Sequence, residues 1–341
     1  MASTTRATTS ELAVVIGGPY FDELEVGQTF DSAPSVTLTD GLAAAHQAIV
    51  GDRLRLPLDT HLSAAVAGGP IAHPGLVTDI AIGQSTLVTH HVKANLFYRG
   101  LRLHRLPLIG ETLHTTTEVV GLKSNTVKPG RAATGLVALR MSTLDQDGRT
   151  VLDFYRCAML PLNPAAAPAS CARTDDLSAI GPQGVSQWSV PDGLDLGAYR
   201  QRVPGTHFDA SLVGTVFSSS GDVVSSAPEL ARLTLNIAAT HHDERVGAAG
   251  RLVYGGHTIG IALAQATRAL PNLVTVLGWQ SCDHTGPVCE GDTLTSELHV
   301  EGASKLPAGG GTLDLRSIVF AQRTGTDPAP VLDWRFTVLM A

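Results

Sequence analysis

The residues of this chain best suited to chemistry lie between Leu233 and Thr267, in the stretch LTLNIAATHHDERVGAAGRLVYGGHTIGIALAQAT. Asn236 is followed five residues later by His241, then by His242 and Asp243. A glycine-marked turn, Gly247 to Gly250, separates this polar cluster from Tyr254, Gly255, Gly256 and His257. Beyond them, Ile259 to Ala269 is an apolar run that reads as a buried helix. Histidine changes charge near neutral pH, so His241 is a candidate proton carrier. Asn236 offers an amide that orients water or substrate and cannot take a proton. Two glycines at a helix start leave backbone N–H groups bare and let another molecule come close. Such a terminus can hold partial negative charge, including an oxyanion that develops during reaction.

Each residue also has a plainer reading. Taken singly, His241 is what a loop histidine looks like, and Asn236 what a helix cap looks like. Asp243 reads first as a hydrogen-bond partner or surface carboxylate. Gly255 and Gly256 equally permit tight helix packing. His257 equally bonds a carbonyl as an N-terminal helix residue, and Tyr254 either lines a pocket or packs. The combination of an Asn five residues before a His, ahead of a GGH helix start, singles out His241 and Asn236 as catalytic candidates. Tyr254, Gly255, Gly256 and His257 are then the candidate oxyanion or substrate contacts.

The elements that must position these residues come in two sets. A chain of 341 residues suits two domains of ordinary size, and 43% apolar residues are enough for a core in each. In the first half, Leu38-Thr39-Asp40 signals a helix over Gly41 to Val50, Gly51 to Gly69 reads mostly as loop, and Ile71 to Val88 contains a buried helix. Strands are expected over His91–Phe97, Thr112–Leu122, Ala133–Leu144 and Val151–Leu160, the last two joined by a DQDG hairpin turn. Asn163 to Ser170 is Pro/Ala-rich, and a polar, irregular segment continues to about Thr206. The second half then repeats the first. IALAQAT (Ile261 to Thr267) follows IAIGQST (Ile80 to Thr86) by 181 residues, and GDTL (from Gly291) follows GETL (from Gly110) by 181. VLDWRFTVLM (from Val331) follows VLDFYRCAML (from Val151) by 180. The expected division is a first repeat over 17–163, a linker over 164–206 and a second repeat over 207–341. Each repeat is an apolar helix with an antiparallel sheet, an α+β layout that can pair across a pseudo-twofold axis.

The repeat breaks at the chemistry. At an offset of 181, Asn236 falls on Arg55, His241 on Thr60, Tyr254 on His73 and His257 on Leu76. This predicts one complete site, in the second half, with the first half as support or binding surface. Arg53, Arg55, Lys93, Arg99, Arg102 and Arg105 concentrate positive charge in that first half. They read either as a solvated face or as phosphate contacts, Arg53, Arg55, Lys93 and Arg99 being the candidates.

The composition narrows the classes further. A net charge of −7 with only 16% charged residues argues against nonspecific nucleic-acid binding. Cys157, Cys171, Cys282 and Cys289 form no CxxC pair and read as thiols of a reducing compartment. Cys282 and Cys289 flank His284, but no second ligand pair completes a four-ligand metal site. Residues 1–16 read as a loose tail without a signal peptide's apolar segment, and no 18-residue apolar run occurs elsewhere. A soluble, cytoplasmic protein without a membrane partner is expected.

FDELEVGQTF, LNIAATHHD, LVYGGHTIGIA, CEGDTL and VLDWRFTVLM together resemble the MaoC-like hydratases, in family order from about Phe21 to the end. The resemblance implies a double hotdog fold, in which each of two repeats wraps a curved antiparallel sheet around a long central helix. It implies a hydro-lyase acting on an acyl-CoA, with no metal or redox cofactor, the CoA being part of the substrate. Many members read roughly GDxNPxHxD, with an aspartate five residues before the histidine. Here Asn236 takes that aspartate's place and Ala238-Ala239 replaces Asn-Pro. In carrying Asn, the chain resembles the branch that hydrates mesaconyl-CoA to β-methylmalyl-CoA, and the usual Asp/His pair is not expected. The competing class is a thioesterase, for which Asp52, Asp243 or Glu244 could serve, or a noncatalytic acyl-CoA-binding hotdog protein. Association into homo-oligomers stays open.

Overall fold

Both apolar runs form helices, and each is buried on nearly every side. The computed structural model describes residues 17–165, 172–182, 188–246 and 251–341. The tail at 1–16, Cys171, most of the Pro/Ala-rich stretch and the Gly247–Gly250 turn lie outside them. The first half runs β1 (Thr29–Phe30), β2 (Val36–Thr37), α1 (Asp40–Val50), α2 (Arg55–Leu58), α3 (Thr60–Ala67), α4 (Pro74–Gln84), β3 (Ala94–Leu103), β4 (Thr112–Ser124), β5 (Thr134–Leu144) and β6 (Thr150–Pro161). After α5 (Leu196–Arg202), the second half runs β7 (Val216–Ser218), β8 (Asp222–Val223), α6 (Ala227–Leu233), α7 (Gly255–Ala269), β9 (Leu273–His284), β10 (Thr293–Lys305), β11 (Gly311–Gln322) and β12 (Ala329–Met340). Among the described residues no helix is long and apolar enough to cross a membrane.

Local sequence explains the helix ends. Thr39 caps α1 by accepting the Leu42 N–H, and Gly51 ends it at φ 70, a left-handed position that suits glycine. α4 and α7 are buried along nearly their whole length, as central helices must be, and their polar side chains Asp79, Gln84 and Gln265 are hydrogen-bonded. A Cβ on Gly83 would lie 1.6 Å from the Thr234 carbonyl oxygen, so only glycine lets α4 meet the segment leading to Asn236.

Two stretches differ from expectation. Gly51 to Gly69 is not mostly loop: it holds α2 and α3, the latter capped by Asp59, which accepts the N–H groups of His61 and Leu62. The segment expected as a linker contributes α5, whose Leu196 and Tyr199, together with Val203 just after the helix, have helical spacing and bury in one cluster with Leu56, Leu62 and Val66.

All strand pairings among the described residues are antiparallel, in one sheet of order β1-β4-β5-β6-β3-β9-β12-β11-β10-β7, with β2 on β4 and β8 on β10. Read outward from the β3–β9 seam, the two halves have the same order. α4 and α7 begin 181 residues apart, as the sequence echoes require. Each half is thus one hotdog unit, and the seam joins them into a double hotdog.

Strand alternation decides which side chains reach the helices. Across the seam Tyr98 pairs with Cys282 on one side and Arg156 on the other. Tyr98, Cys282 and Arg156 are buried and share the inner face. Phe97 and Arg99, one residue either side of Tyr98, face the other way.

Candidate active site

A cavity of about 280 Å³ opens at the N-terminal end of α7, with walls from both halves of the chain. The second half supplies Asn236, His241, Tyr254, Gly255 and His284, and the first supplies Thr89, Lys93, Asn95, Tyr98 and Arg156.

The segment carrying Asn236 and His241 is braced by the first half. Thr86 Oγ1 accepts the Ile237 N–H at 3.0 Å, and the His90 carbonyl accepts the Ala239 N–H at 3.0 Å. Leu235, just before Asn236, sits at φ 60, an uncommon conformation for a side chain of its size. His242 Nε2 donates to the Asn236 carbonyl at 2.6 Å and closes the turn. Asn236 is 2% exposed, and its Oδ1 accepts the Ala238 N–H at 3.0 Å. That bond leaves Nδ2, a donor, as the end of the amide free to act in the cavity.

His241 Nδ1 lies 3.0 Å from the Leu252 carbonyl, which can only accept. The proton therefore sits on Nδ1, and Nε2 carries the lone pair. Burial lowers the His241 pKa to about 4, partly opposed by the Leu252 bond, with His242 and Arg156 lowering it further. The imidazole is neutral at physiological pH and available as a base. Tyr254 meets it edge-on, ring centres 5.9 Å apart, and donates its hydroxyl to Asp79 at 2.8 Å. The other Asp79 oxygen accepts from His46 Nε2 at 3.0 Å.

Gly255 is the first residue of α7, and Tyr254 makes no side-chain cap there. The Gly255 N–H therefore has no intrahelical acceptor and stands at the positive end of the helix. A Cβ on Gly255 would lie 2.7 Å from Nε2 of His284. His284 is held near pKa 4 by burial, and its Nε2 has no hydrogen-bond partner.

Several other candidates lie elsewhere. Gly256 does not line the cavity. Its missing Cβ makes room for Asp79 Oδ1 and the Tyr254 ring, at 2.2 and 2.4 Å from where that atom would sit, so it is a packing glycine. His257 is fully buried behind the helix start, outside the cavity wall. Of the four basic residues proposed for phosphate, only Lys93 lines the cavity. Arg99 sits on the outer face, over the Phe97 ring and 2.6 Å from Asp283. The Arg53 backbone binds Thr267 and the Arg55 side chain binds the Pro271 carbonyl, so both are anchored at the far end of α7. At 1.5 Å per residue that end is roughly 18 Å from Gly255.

Among the cavity residues not foreseen are Thr89, Asn95, Tyr98, Arg156 and, as a wall residue, His284. Arg156 had a signal. At the offset of 180 its counterpart is Phe336, so a guanidinium stands where the other repeat buries an aromatic ring.

No family model matches the chain. A β-methylmalyl-CoA dehydratase of Chloroflexus aurantiacus is 29% identical over 95% of this chain and 97% of its own length. Among solved structures, a protein described as a putative MaoC domain protein dehydratase, also from Chloroflexus aurantiacus, superposes with a TM-score of 0.79 at 26% identity, covering 98% of this chain and 99% of that one. RV0216 from Mycobacterium tuberculosis, described as a conserved hypothetical protein with a double hotdog fold that is essential for survival during infection, superposes at 0.90. It is 60% identical, over 96% of this chain and all of that one. With identity at that level along the whole length, and the same paired hotdog units, this chain belongs to the MaoC-like double hotdog family.

Proposed function

We propose that this chain is a hydro-lyase that reversibly hydrates a short branched enoyl-CoA, mesaconyl-CoA being converted to β-methylmalyl-CoA. The observation that carries the reading is the His241 imidazole, fixed as the Nδ1–H tautomer, beside Asn236 and the uncapped start of α7 in one cavity. The whole-length similarity to a β-methylmalyl-CoA dehydratase supports the choice of acyl group.

In the forward direction the thioester carbonyl accepts the Gly255 N–H. Asn236 Nδ2 donates to the oxygen of the attacking water, and His241 Nε2 takes one of its protons. The oxygen adds to the β-carbon. The π electrons shift toward the thioester, and the enolate charge on its oxygen rests at the helix N-terminus. The imidazolium then returns the proton to the α-carbon, so one water is added and His241 is regenerated. Dehydration is the reverse. Asn236 cannot hold the proton, so a single histidine serves both steps. This is acid–base chemistry on an activated double bond and calls for no separate cofactor. Lys93, exposed on the cavity wall, is placed to meet the polar part of CoA.

The thioesterase reading finds less support. Asp52 is 1% exposed and held 3.0 Å from His73, while Asp243 pairs with Arg245 at the surface. Asp52, Asp243 and Glu244 do not line the cavity. Incubation with mesaconyl-CoA, following enoyl absorbance and free thiol together, separates the classes. Loss of absorbance without thiol supports hydration; thiol release favours a thioesterase; neither, with binding intact, leaves a binding protein.

A further inference from the structure

Arg156 is the least ordinary group in the cavity. It is 4% exposed, and its guanidinium donates to Thr89 Oγ1 and bonds the Tyr98 hydroxyl. Its Nε has no hydrogen-bond partner, and among the described residues no carboxylate forms an ion pair with it. A cation buried without a counter-charge is costly and is kept where something else supplies the charge. The groups that favour its charge are Tyr98, Tyr254 and Cys157, all neutral at physiological pH. No aspartate or glutamate is among the described residues of the wall, whereas Lys93 is a second cation there.

Asn95 lies next to it. Asn95 pairs with Ala158, two residues along β6 from Arg156, so the two side chains share one face. A register shift after Asn95 puts Tyr98 on that face as well. Both Oδ1 and Nδ2 of Asn95 are buried without partners. Arg156 and Asn95 thus both line the cavity from one strand face, and each holds a buried donor without a partner, a pairing of guanidinium and amide that fits a planar anion. The other repeat has no such group: Phe336, in the place of Arg156, stacks on Trp334 at 3.7 Å.

We propose that Arg156, with Asn95, is the receptor for a carboxylate at the distal end of the acyl chain, so that the cavity selects dicarboxylyl-CoA esters over their monocarboxylyl counterparts. This rests on the preceding reading only in that the acyl group enters this cavity. In a 2-methyl-fumaryl thioester the carboxylate is attached to the carbon that water attacks. A receptor close enough to influence the His241 imidazole suits that geometry.

Succinyl-CoA and butyryl-CoA differ by a carboxylate in place of a methyl group, and neither has a double bond to hydrate. Calorimetric titration of the wild-type protein should give about 10²-fold tighter binding of succinyl-CoA. Arg156→Gln should reduce the ratio to within about threefold by weakening succinyl-CoA alone. Thr89→Val, which removes only a hydroxyl that orients the guanidinium, should lower it part of the way. Equal affinities in the wild type, or a ratio that persists in a folded Arg156→Gln, overturns the proposal. If Arg156→Gln does not fold, the wild-type ratio and Thr89→Val decide. Discrimination between these esters in a protein that leaves mesaconyl-CoA unchanged would retain the receptor and remove the hydratase reading.

Discussion

The pH dependence of kcat/KM tests the assignment of His241 most directly. The limb of kcat/KM reports the free enzyme's essential base, and here that base has a pKa of about 4. Burial, the largest cause, favours the neutral ring over the charged one. At pH 5.5 a base with that pKa is about 97% unprotonated, whereas a solvated histidine near 6.5 would be about 9% unprotonated. Activity on mesaconyl-CoA, measured at subsaturating substrate between pH 5 and 8, should therefore hold nearly level down to pH 5.5. A solvated base would lose about tenfold over that range. His241→Ala should lower kcat by about 10²- to 10⁴-fold with little change in acyl-CoA binding, the usual contribution of acid–base catalysis. An acid limb centred near 6.5 in a folded enzyme would remove His241 from the cavity environment described here. A His241→Ala variant with near wild-type turnover would refute the mechanism itself.

Gly255→Ala places a Cβ 2.7 Å from the His284 ring, so the ring or the helix start must move. Steady-state kinetics should show kcat reduced about 10²-fold if the Gly255 N–H supports the oxyanion, and unchanged kcat would take that donor out of the reaction. Thr86→Val leaves the Ile237 N–H without its acceptor and should cost about 1–3 kcal/mol in urea unfolding; an unchanged midpoint would mean that water replaces the hydroxyl. His257 has its folded pKa lowered to about 4 by burial. The unfolded chain binds the extra proton first as pH falls, so the stability linked to His257 is complete above about 6.5 and is lost between 6.5 and 4. His257→Leu should make the loss of unfolding free energy between pH 7 and 4.5 smaller by about 2–3 kcal/mol, and an identical pH profile would contradict its neutral burial.

Much of the fold is legible because it is written twice. Echoes at a constant offset place both central helices and the strand order, and the helix starts at Pro74 and Gly255 keep that offset. α2, α3 and α5 are not legible, since short helices make most of their stability by tertiary packing and leave weak local signals. At the site, Asn236, His241, Tyr254 and Gly255 are neighbours along the chain, and their types alone draw attention. Residues brought in by strands are harder. Arg99 and Tyr98 are adjacent, yet alternation sends them to opposite faces, and charge in a sequence does not say which face is inward. Asn95 and Tyr98 share a face only because the β3–β6 register shifts between them, a feature no periodicity announces. The exchange of Arg156 for Phe336 was visible in the aligned repeats and carries meaning only once the cavity is known.

The two helix starts explain in physical terms why one half would react and the other would not. At the offset of 181, Gly255 falls on Pro74, the first residue of α4. Proline has no N–H, so the first half lacks the donor that Gly255 offers. The next N–H, that of Gly75, is taken by His73 Nδ1 at 3.0 Å. Tyr254, at the place of His73, turns its hydroxyl to Asp79 and caps nothing. The exchange of His241 for Thr60 therefore comes together with the loss of both backbone donors. Polar pairs occupy the surroundings of α4 as well: Asp52 holds His73, Asp79 holds His46, and the cavity that Pro74 and Gly75 line measures about 20 Å³. Restoring the base alone, by Thr60→His, would leave the developing charge with no donor and no room for an acyl group. On this reasoning the first half is committed to shaping the other cavity, through Asp79 on Tyr254, Thr86 on the Asn236 segment, and Arg156 in the wall.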